Sequence, residues 1–233
     1  MISIIIPALN EEKKIASCLI ALKNQDYDSE FEVIIVDAFS KDKTIEIARV
    51  FTPNIYQQRA GGPGEARNFG AQKAKYDIIA FIDADCIADP NWLHEIEGAM
   101  KNGTIGVGGV LRPMEGRFID KFMFKLNADW WVRISAFFGL YQLYGNNCAY
   151  KKDKFLEIGG FSTKITFFED TELSMRMKEK GKLKINPRCV VYASARRFIQ
   201  TGYFKVFKQN ITAFLNFTFG RPITTRYFDI IEH

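Results

Sequence analysis

Along the first hundred residues, short unbroken apolar runs alternate with stretches whose apolar residues recur every three or four positions. Ile2 to Ile6, Val33 to Val36 and Ile78 to Ile82 are uninterrupted, the pattern of strands covered on both faces. Between them, Ile15, Leu19 and Leu22 fall at helical spacing in a segment that opens at Asn10-Glu11-Glu12 and runs to about Asn24. Thr44 to Val50 and Glu65 to Lys75 read as further helices, with a short strand near Ile55 between them. Asp89-Pro90 has the form of a helix start, cap then proline, for a helix reaching about Met100. This alternation predicts an α/β chain with a parallel sheet and right-handed crossovers.

The second half is less regular. Ile105 to Leu111 is a strand interrupted by glycines, and Phe118 to Tyr144 is dense in aromatics, including Trp130, Trp131, Phe137 and Phe138, as one long helix or two broken ones. Gly145-Asn146-Asn147 is a turn entering a strand toward Tyr150. A short helix ends at Glu157-Ile-Gly-Gly-Phe161, another runs from Phe167-Phe-Glu-Asp-Thr-Glu172 through Lys180, and Arg188 to Tyr192 is the last strand. No internal repeat, linker or domain boundary is visible.

The polar residues at the ends of the apolar runs carry the candidate chemistry. The Ile78 run stops in two carboxylates, Asp83 and Asp85, which point the same way if strand geometry holds through Ala84. Like charges so placed suit a divalent cation carrying a phosphorylated ligand, and ligands of open α/β sheets bind at this end of the strands. The same pair would also suit a solvated loop. Gly61-Gly-Pro-Gly64 is either a phosphate-receiving helix start or a plain turn.

Composition narrows the picture. With 233 residues, 47% of them hydrophobic and 25% charged, the chain can build one large core. No apolar run spans a bilayer and the first residues lack a signal-peptide pattern, which gives a cytoplasmic expectation. Four scattered cysteines, Cys18, Cys86, Cys148 and Cys189, read as reduced, buried thiols. A formal net charge of +5 favours anionic partners, and no Lys/Arg run points to nucleic acid.

Five segments together resemble family 2 glycosyltransferases: Ile-Ile-Ile-Pro-Ala-Leu-Asn-Glu-Glu at 4–12, Val-Asp-Ala-Phe-Ser-Lys-Asp-Lys-Thr at 36–44, Gly-Glu-Ala-Arg-Asn-Phe-Gly-Ala at 64–71, Asp83-Ala-Asp85, and Phe-Glu-Asp-Thr-Glu at 168–172. The resemblance implies a single GT-A domain over residues 1–195, with residues 196–233 a basic, aromatic helical extension of it. It implies transfer of a sugar, usually with inversion, from a nucleoside diphosphate (uridine and guanosine donors are both compatible) to an acceptor hydroxyl or phosphate, assisted by Mn²⁺ or Mg²⁺. Asp170 matches the general base, Asp85 the direct metal ligand, and Asp83 a metal ligand that also meets the ribose or base. Pro7, Ala8, Asn10, Glu11 and Ala84 line the nucleotide pocket, Asp37 receives the base, and Arg67 approaches base or phosphates. Asn146, Asn147 and Glu169 lie toward the acceptor or diphosphate.

Asp170 also suits a plain helix cap, and the two asparagines a plain turn. Crowding of Glu169, Asp170 and Glu172 is expected to raise one carboxyl's pKa. Some relatives carry a histidine after the last strand; here that stretch reads Tyr192-Ala-Ser-Ala-Arg-Arg197, so Arg196 or Arg197 stands in for it. A nucleotidyltransferase and an inactive sugar-nucleotide-binding module are the alternatives. In the tail, Phe204, Phe207, Ile211, Phe214 and Leu215 form an apolar helical stripe beside Lys205, Lys208, Arg221 and Arg226. It suits either core packing or peripheral contact at the inner face of a membrane, the latter with a polyprenyl phosphate or lipid-linked sugar as acceptor.

Overall fold

The computed structural model describes residues 1–59, 61–137, 139–163 and 168–218; within these, the side chains of 127, 130, 131, 197, 198, 200, 207, 209, 210, 213–215, 217 and 218 are not described. Phe138, Phe167, Arg221 and Arg226 therefore lie outside the described residues, as do the side chains of Trp130, Trp131, Arg197, Phe207, Phe214 and Leu215.

Eight strands form one sheet: β1 (Ile2–Ala8), β2 (Phe31–Asp37), β3 (Ile55–Gln57), β4 (Ile78–Phe81), β5 (Ile87–Ala88), β6 (Thr104–Pro113), β7 (Cys148–Lys151) and β8 (Lys182–Ala193), in the order β3-β2-β1-β4-β7-β6-β8-β5. The first four in that order are parallel, as is the β6–β8 pair. β7 enters antiparallel to both β4 and β6, and β5 is antiparallel to β8. β8 is longer than the expected Arg188 to Tyr192, because Lys182–Ile185 pair with β6 despite their alternating charges.

The unbroken apolar runs are buried on both faces. From β1, Ile2, Ile4, Ile6 and Ala8 face one core layer and Ile5 the other. The first layer is closed by α1 (Ile15–Lys23) and α4 (Trp92–Ala99); the second by α3 (Pro63–Lys73), α7 (Lys152–Glu157) and α8 (Glu169–Lys180). Phe81 anchors the second layer, its ring 5.4 Å from those of Phe155 and Phe161. Each such buried side chain contributes about 1.5–3 kcal/mol.

Between β2 and β3 lies α2 (Thr44–Ala48). The aromatic stretch becomes α5 (Phe118–Lys125), a π-helical turn at Leu126–Trp130, and α6 (Trp131–Phe137), followed by irregular chain to Tyr144. The chain after β8 forms α9 (Arg196–Thr201) and α10 (Tyr203–Thr218), tied to the first core layer by Ala195 and Tyr203, with Val206 also buried. Phe204, the first member of the expected apolar stripe, is 82% exposed, so that end of the stripe does not pack on the sheet. All four cysteines are buried free thiols.

Candidate active site

The carboxyl ends of β1, β2 and β4 meet at one end of the sheet. The turns after β1 and β2 are stitched together by backbone N–H groups: Asn10 N–H donates to Ser40 Oγ (2.8 Å), Glu11 N–H to Thr44 Oγ1 (2.7 Å), and Lys41 N–H to Asn10 Oδ1 (2.9 Å). Asn10 and Phe39 both sit at positive φ, 54° and 63°. Asp37 is fully buried beneath them, its carboxylate accepting from Ser40 N–H (3.0 Å), the Ser40 hydroxyl and Gln57 Nε2 (3.3 Å). A nucleobase reaching Asp37 must therefore displace Gln57 or Ser40. Pro7 is half-buried at the strand end, while the side chains of Ala8 and Ala84 belong to the core, leaving only their backbone to line a pocket.

The two carboxylates after β4 are not presented by a strand. β4 ends at Phe81, and Asp83–Cys86 close a turn, Cys86 N–H donating to Asp83 carbonyl oxygen at 3.0 Å. The expected parallel orientation is thereby replaced. Asp83 takes its counterion from α3, Arg67 Nη2 at 2.6 Å, and Asp85 from beside α1, Lys14 Nζ at 3.4 Å, on the opposite layer. The turn still gathers ligand atoms: a carboxylate oxygen of each aspartate and Cys86 Sγ lie within 4.8 Å of one another. Burial and the two carboxylates push the Cys86 thiol pKa far up, against its acting as a thiolate, which leaves the two carboxylate oxygens as the donors. Two such oxygens suit a hard divalent ion that completes its shell with phosphate oxygens and water. Glu11 adjoins them; burial first, then Asp85, raises its pKa, with Lys14 opposing.

Arg67 joins this cluster to α8. Its side chain is 5% exposed and it bonds Asp83 on one side and Glu169 Oε1 (3.1 Å) on the other. Its guanidinium lies 5.3 Å from the Phe161 ring centre, and a Cβ at Gly145 would lie 3.0 Å from Nη1, so a larger residue there would push on the guanidinium by a few tenths of an ångström. Phe168, at φ 72°, turns the chain into α8, a strained conformation for an aromatic and one that clusters at functional sites. Glu169 and Asp170 follow in the first helical turn, where the helix dipole favours negative charge.

The Asp170 carboxylate accepts from its own helix, Thr171 N–H at 2.8 Å, and from Gly145 N–H at 3.3 Å; burial raises its pKa and these two N–H groups oppose the rise. Glu169 is pushed up to about 7, by burial foremost, against Arg67, with Asp170 and Asp83 adding to the rise. Desolvation thus outweighs the carboxylate crowding expected from sequence. Glu172 points away and is clamped to Arg176 in a two-pronged ion pair.

The two asparagines part company. Asn146 is half-buried, its Nδ2 3.7 Å from Cys86 Sγ, which sets it beside the carboxylate pair. Asn147 is a correction: it is buried in the core, Oδ1 accepting from Trp92 Nε1 (2.9 Å) and Nδ2 donating to the carbonyls of Val110 (2.9 Å) and Cys189 (3.1 Å), so it faces no acceptor. Arg196 is exposed four residues beyond Tyr192, which pairs with Ile87 just past Cys86; the Arg197 side chain is not described. Sequence reasoning missed Lys14 and Gly145. Lys14 carried a hint, as the second of two lysines following Glu11-Glu12 in the turn after β1.

A concavity of about 460 Å³ opens at the opposite end of the sheet, lined by Lys75, Tyr76, Asp77, Glu97 and Lys151 among others. It contains no member of the cluster, and the convergence of buried charge at the strand carboxyl ends outweighs concavity as a pointer to function.

Comparison with known proteins decides the family. The profile of glycosyl transferase family 2 matches residues 3–157. The chain belongs to that family. It is similar to glycosyltransferase AglE of Haloferax volcanii, 38% identical over 116 residues that cover 46% of this chain and 38% of that protein. A Methanococcus voltae protein named dolichyl N-acetyl-α-D-glucosaminyl phosphate 3-β-D-2,3-diacetamido-2,3-dideoxy-β-D-glucuronosyltransferase is 27% identical over 227 residues, covering 85% of this chain and 70% of its own. The family 2 chain also shares the fold of mannosyltransferase PcManGT from Pyrobaculum calidifontis, solved with GDP-Man and Mn²⁺, at a TM-score of 0.69 and 20% identity over 87% of this chain and 62% of that one. The α/β sheet with its flanking helices is thus the GT-A architecture.

Proposed function

We propose that this family 2 protein is a metal-dependent inverting glycosyltransferase, moving a sugar from a nucleoside diphosphate to an acceptor hydroxyl or phosphate. The observation that carries the reading is the buried Arg67, which bonds Asp83 of the carboxylate pair on one side and Glu169, next to Asp170, on the other. One end of that network suits a leaving diphosphate and the other an acceptor proton.

Asp85 and Asp83 would hold a divalent ion, which would supply Lewis-acid neutralisation of the departing diphosphate. PcManGT's complex with Mn²⁺ and GDP-Man supports both the ion and a nucleoside-diphosphate sugar donor. Lys14 and Arg67 balance the two aspartates from opposite layers. The turns after β1 and β2, with Pro7, Asn10 and Glu11 above Asp37, form the nucleotide side, where Ala8 and Ala84 offer backbone groups. Asp170 takes the acceptor proton, its basicity raised by burial. Glu169 is engaged by Arg67 and acts by holding it. Asn146 and Arg196 or Arg197 stand on the diphosphate and acceptor side. The dolichyl-linked acceptor in the M. voltae relative's name supports a lipid-linked or polyprenyl-phosphate acceptor here.

The experiment is a thermal-shift screen of UDP, GDP and their sugars with Mn²⁺ or Mg²⁺, on the wild type and Asp85→Ala. A ligand present at about 100 times its Kd stabilises the native state by about 2.7 kcal/mol, a shift of several degrees. Metal-dependent stabilisation by one donor family in the wild type, absent in Asp85→Ala, is expected. An equal shift in the variant would remove Asp85 from the metal site.

A further inference from the structure

Charge and exposure are sorted along α5, the π turn and α6 in a way the catalytic site does not require. Phe118 is 87% exposed and Phe122 54%, and Ile119, Leu126 and Ile134 also stand out in solvent. Between them the exposed bases are Lys121, Lys125 and Arg133. The segment's two carboxylates are both turned inward: Asp120 pairs with Arg117 at 3.2 Å, and Asp129 is buried against Arg112 at 2.7 Å. The outer face of residues 117–137 thus carries bases and large apolar groups and no exposed acid. The start of α10 joins it, since Tyr203 lies close enough to feel the charges of Asp120 and Arg117. There Phe204, Lys205 and Lys208 are exposed, and residues 196–218 contain no carboxylate at all.

We infer that this face, built by α5–α6 with the start of α10, docks the protein onto the surface of an anionic lipid bilayer. Bulky apolar side chains interleaved with lysines and arginines match the acyl–headgroup boundary, where the first group inserts and the second meets lipid phosphates. A second copy of this chain is disfavoured as occupant: a two-fold contact places a patch against itself, and here that sets base against base. Nucleic acid is disfavoured because a strand stacking its bases on Phe118 and Phe122 would leave the aliphatic Ile119, Leu126 and Ile134 in water. The face follows β6, and Tyr144, whose hydroxyl donates to Ala128 carbonyl oxygen within the π turn, also lies near Asp170. The docking face therefore flanks the acceptor side of the site. It stands whether or not the acceptor is lipid-linked.

The test is co-sedimentation of the full chain with vesicles of phosphatidylcholine alone, or containing a quarter phosphatidylglycerol. Binding to the anionic vesicles at least about tenfold above the neutral ones, weakened by salt, is expected. Phe118→Glu with Phe122→Glu should lower it about tenfold or more at an unchanged melting temperature, because both side chains are exposed. Lys121→Gln with Lys125→Gln should narrow the preference for anionic vesicles. Absence of wild-type binding, or equal binding to both vesicle types, overturns the inference. So does full binding by the phenylalanine variant, or a sharp fall in its melting temperature together with a wild-type dimer that the variant breaks.

Discussion

The edge of the sheet that runs β3-β2-β1-β4 is parallel throughout, and the turns at its carboxyl ends bond to one another through backbone N–H groups. The edge that runs β7-β6-β8-β5 is mixed in direction, and its crossover is a helix–π turn–helix with apolar groups in solvent. The first edge presents a fixed, polar-lined rim, which the proposed function assigns to the nucleotide donor. The second leaves its outer helices exposed, on the side that the same proposal assigns to the acceptor. Arg67 is the joint between them, rooted in α3 and bonded to Asp83 and Glu169. A fixed rim beside an open face would let the acceptor change while the donor chemistry is kept.

The sharpest way to separate the two halves is Asp170→Asn. The acceptor-side base is lost while the donor-side turns are untouched, so turnover should fall about 10²–10⁴-fold with the donor-induced melting shift preserved. Asparagine keeps an oxygen for Thr171 N–H and gives up only the longer Gly145 contact, so the fold survives. A lost donor shift with normal turnover would place Asp170 in donor binding instead.

Asn147→Ala probes the seam itself. Trp92 Nε1 and the Val110 and Cys189 carbonyls would be left unpaired in the core, and a destabilisation on the order of 3 kcal/mol is expected, read from chemical denaturation. Turnover per folded molecule should hold. The opposite result, normal stability with impaired acceptor KM, would return Asn147 to the acceptor site.

The smallest effect belongs to Glu169→Gln. The folded carboxyl titrates at about 7 against an ordinary value of 4.5, so the native state binds the extra proton between those values. Its stabilising contribution is complete below about pH 4.5 and is lost as pH rises through about 7. The variant's melting temperature should therefore decline less than the wild type's across that window. Identical profiles would show that Arg67 neutralises Glu169 fully.

Much of the donor half was legible because its information is local. Ile2 to Ile6, Val33 to Val36 and Ile78 to Phe81 became β1, β2 and β4, since an unbroken apolar run can be satisfied only between two covering layers. The cysteines were legible for the same reason, with no spacing to mark them as ligands. Elsewhere, local spacing brought two residues together for an incomplete reason. Asp83 and Asp85 were read as neighbours on a strand face, but a turn brings their oxygens together, and their counterions, Arg67 in α3 and Lys14 beside α1, lie 16 and 71 residues away in sequence.

What the sequence determined by itself was the alternation of strand and helix and the family to which five spaced motifs belong. Which asparagine of an adjacent pair faces the site was decided by tertiary structure, because Gly109 admits the Asn147 amide where a Cβ would come within 2.4 Å of it. So was the pKa of Glu169, because desolvation depends on what surrounds a carboxyl and not on which residues adjoin it. The inward turn of Asp120 and Asp129, which leaves the outer face free of acid, was settled the same way. Hydrophobic period is written in neighbouring residues, whereas burial of charge is a property of segments that meet only after folding.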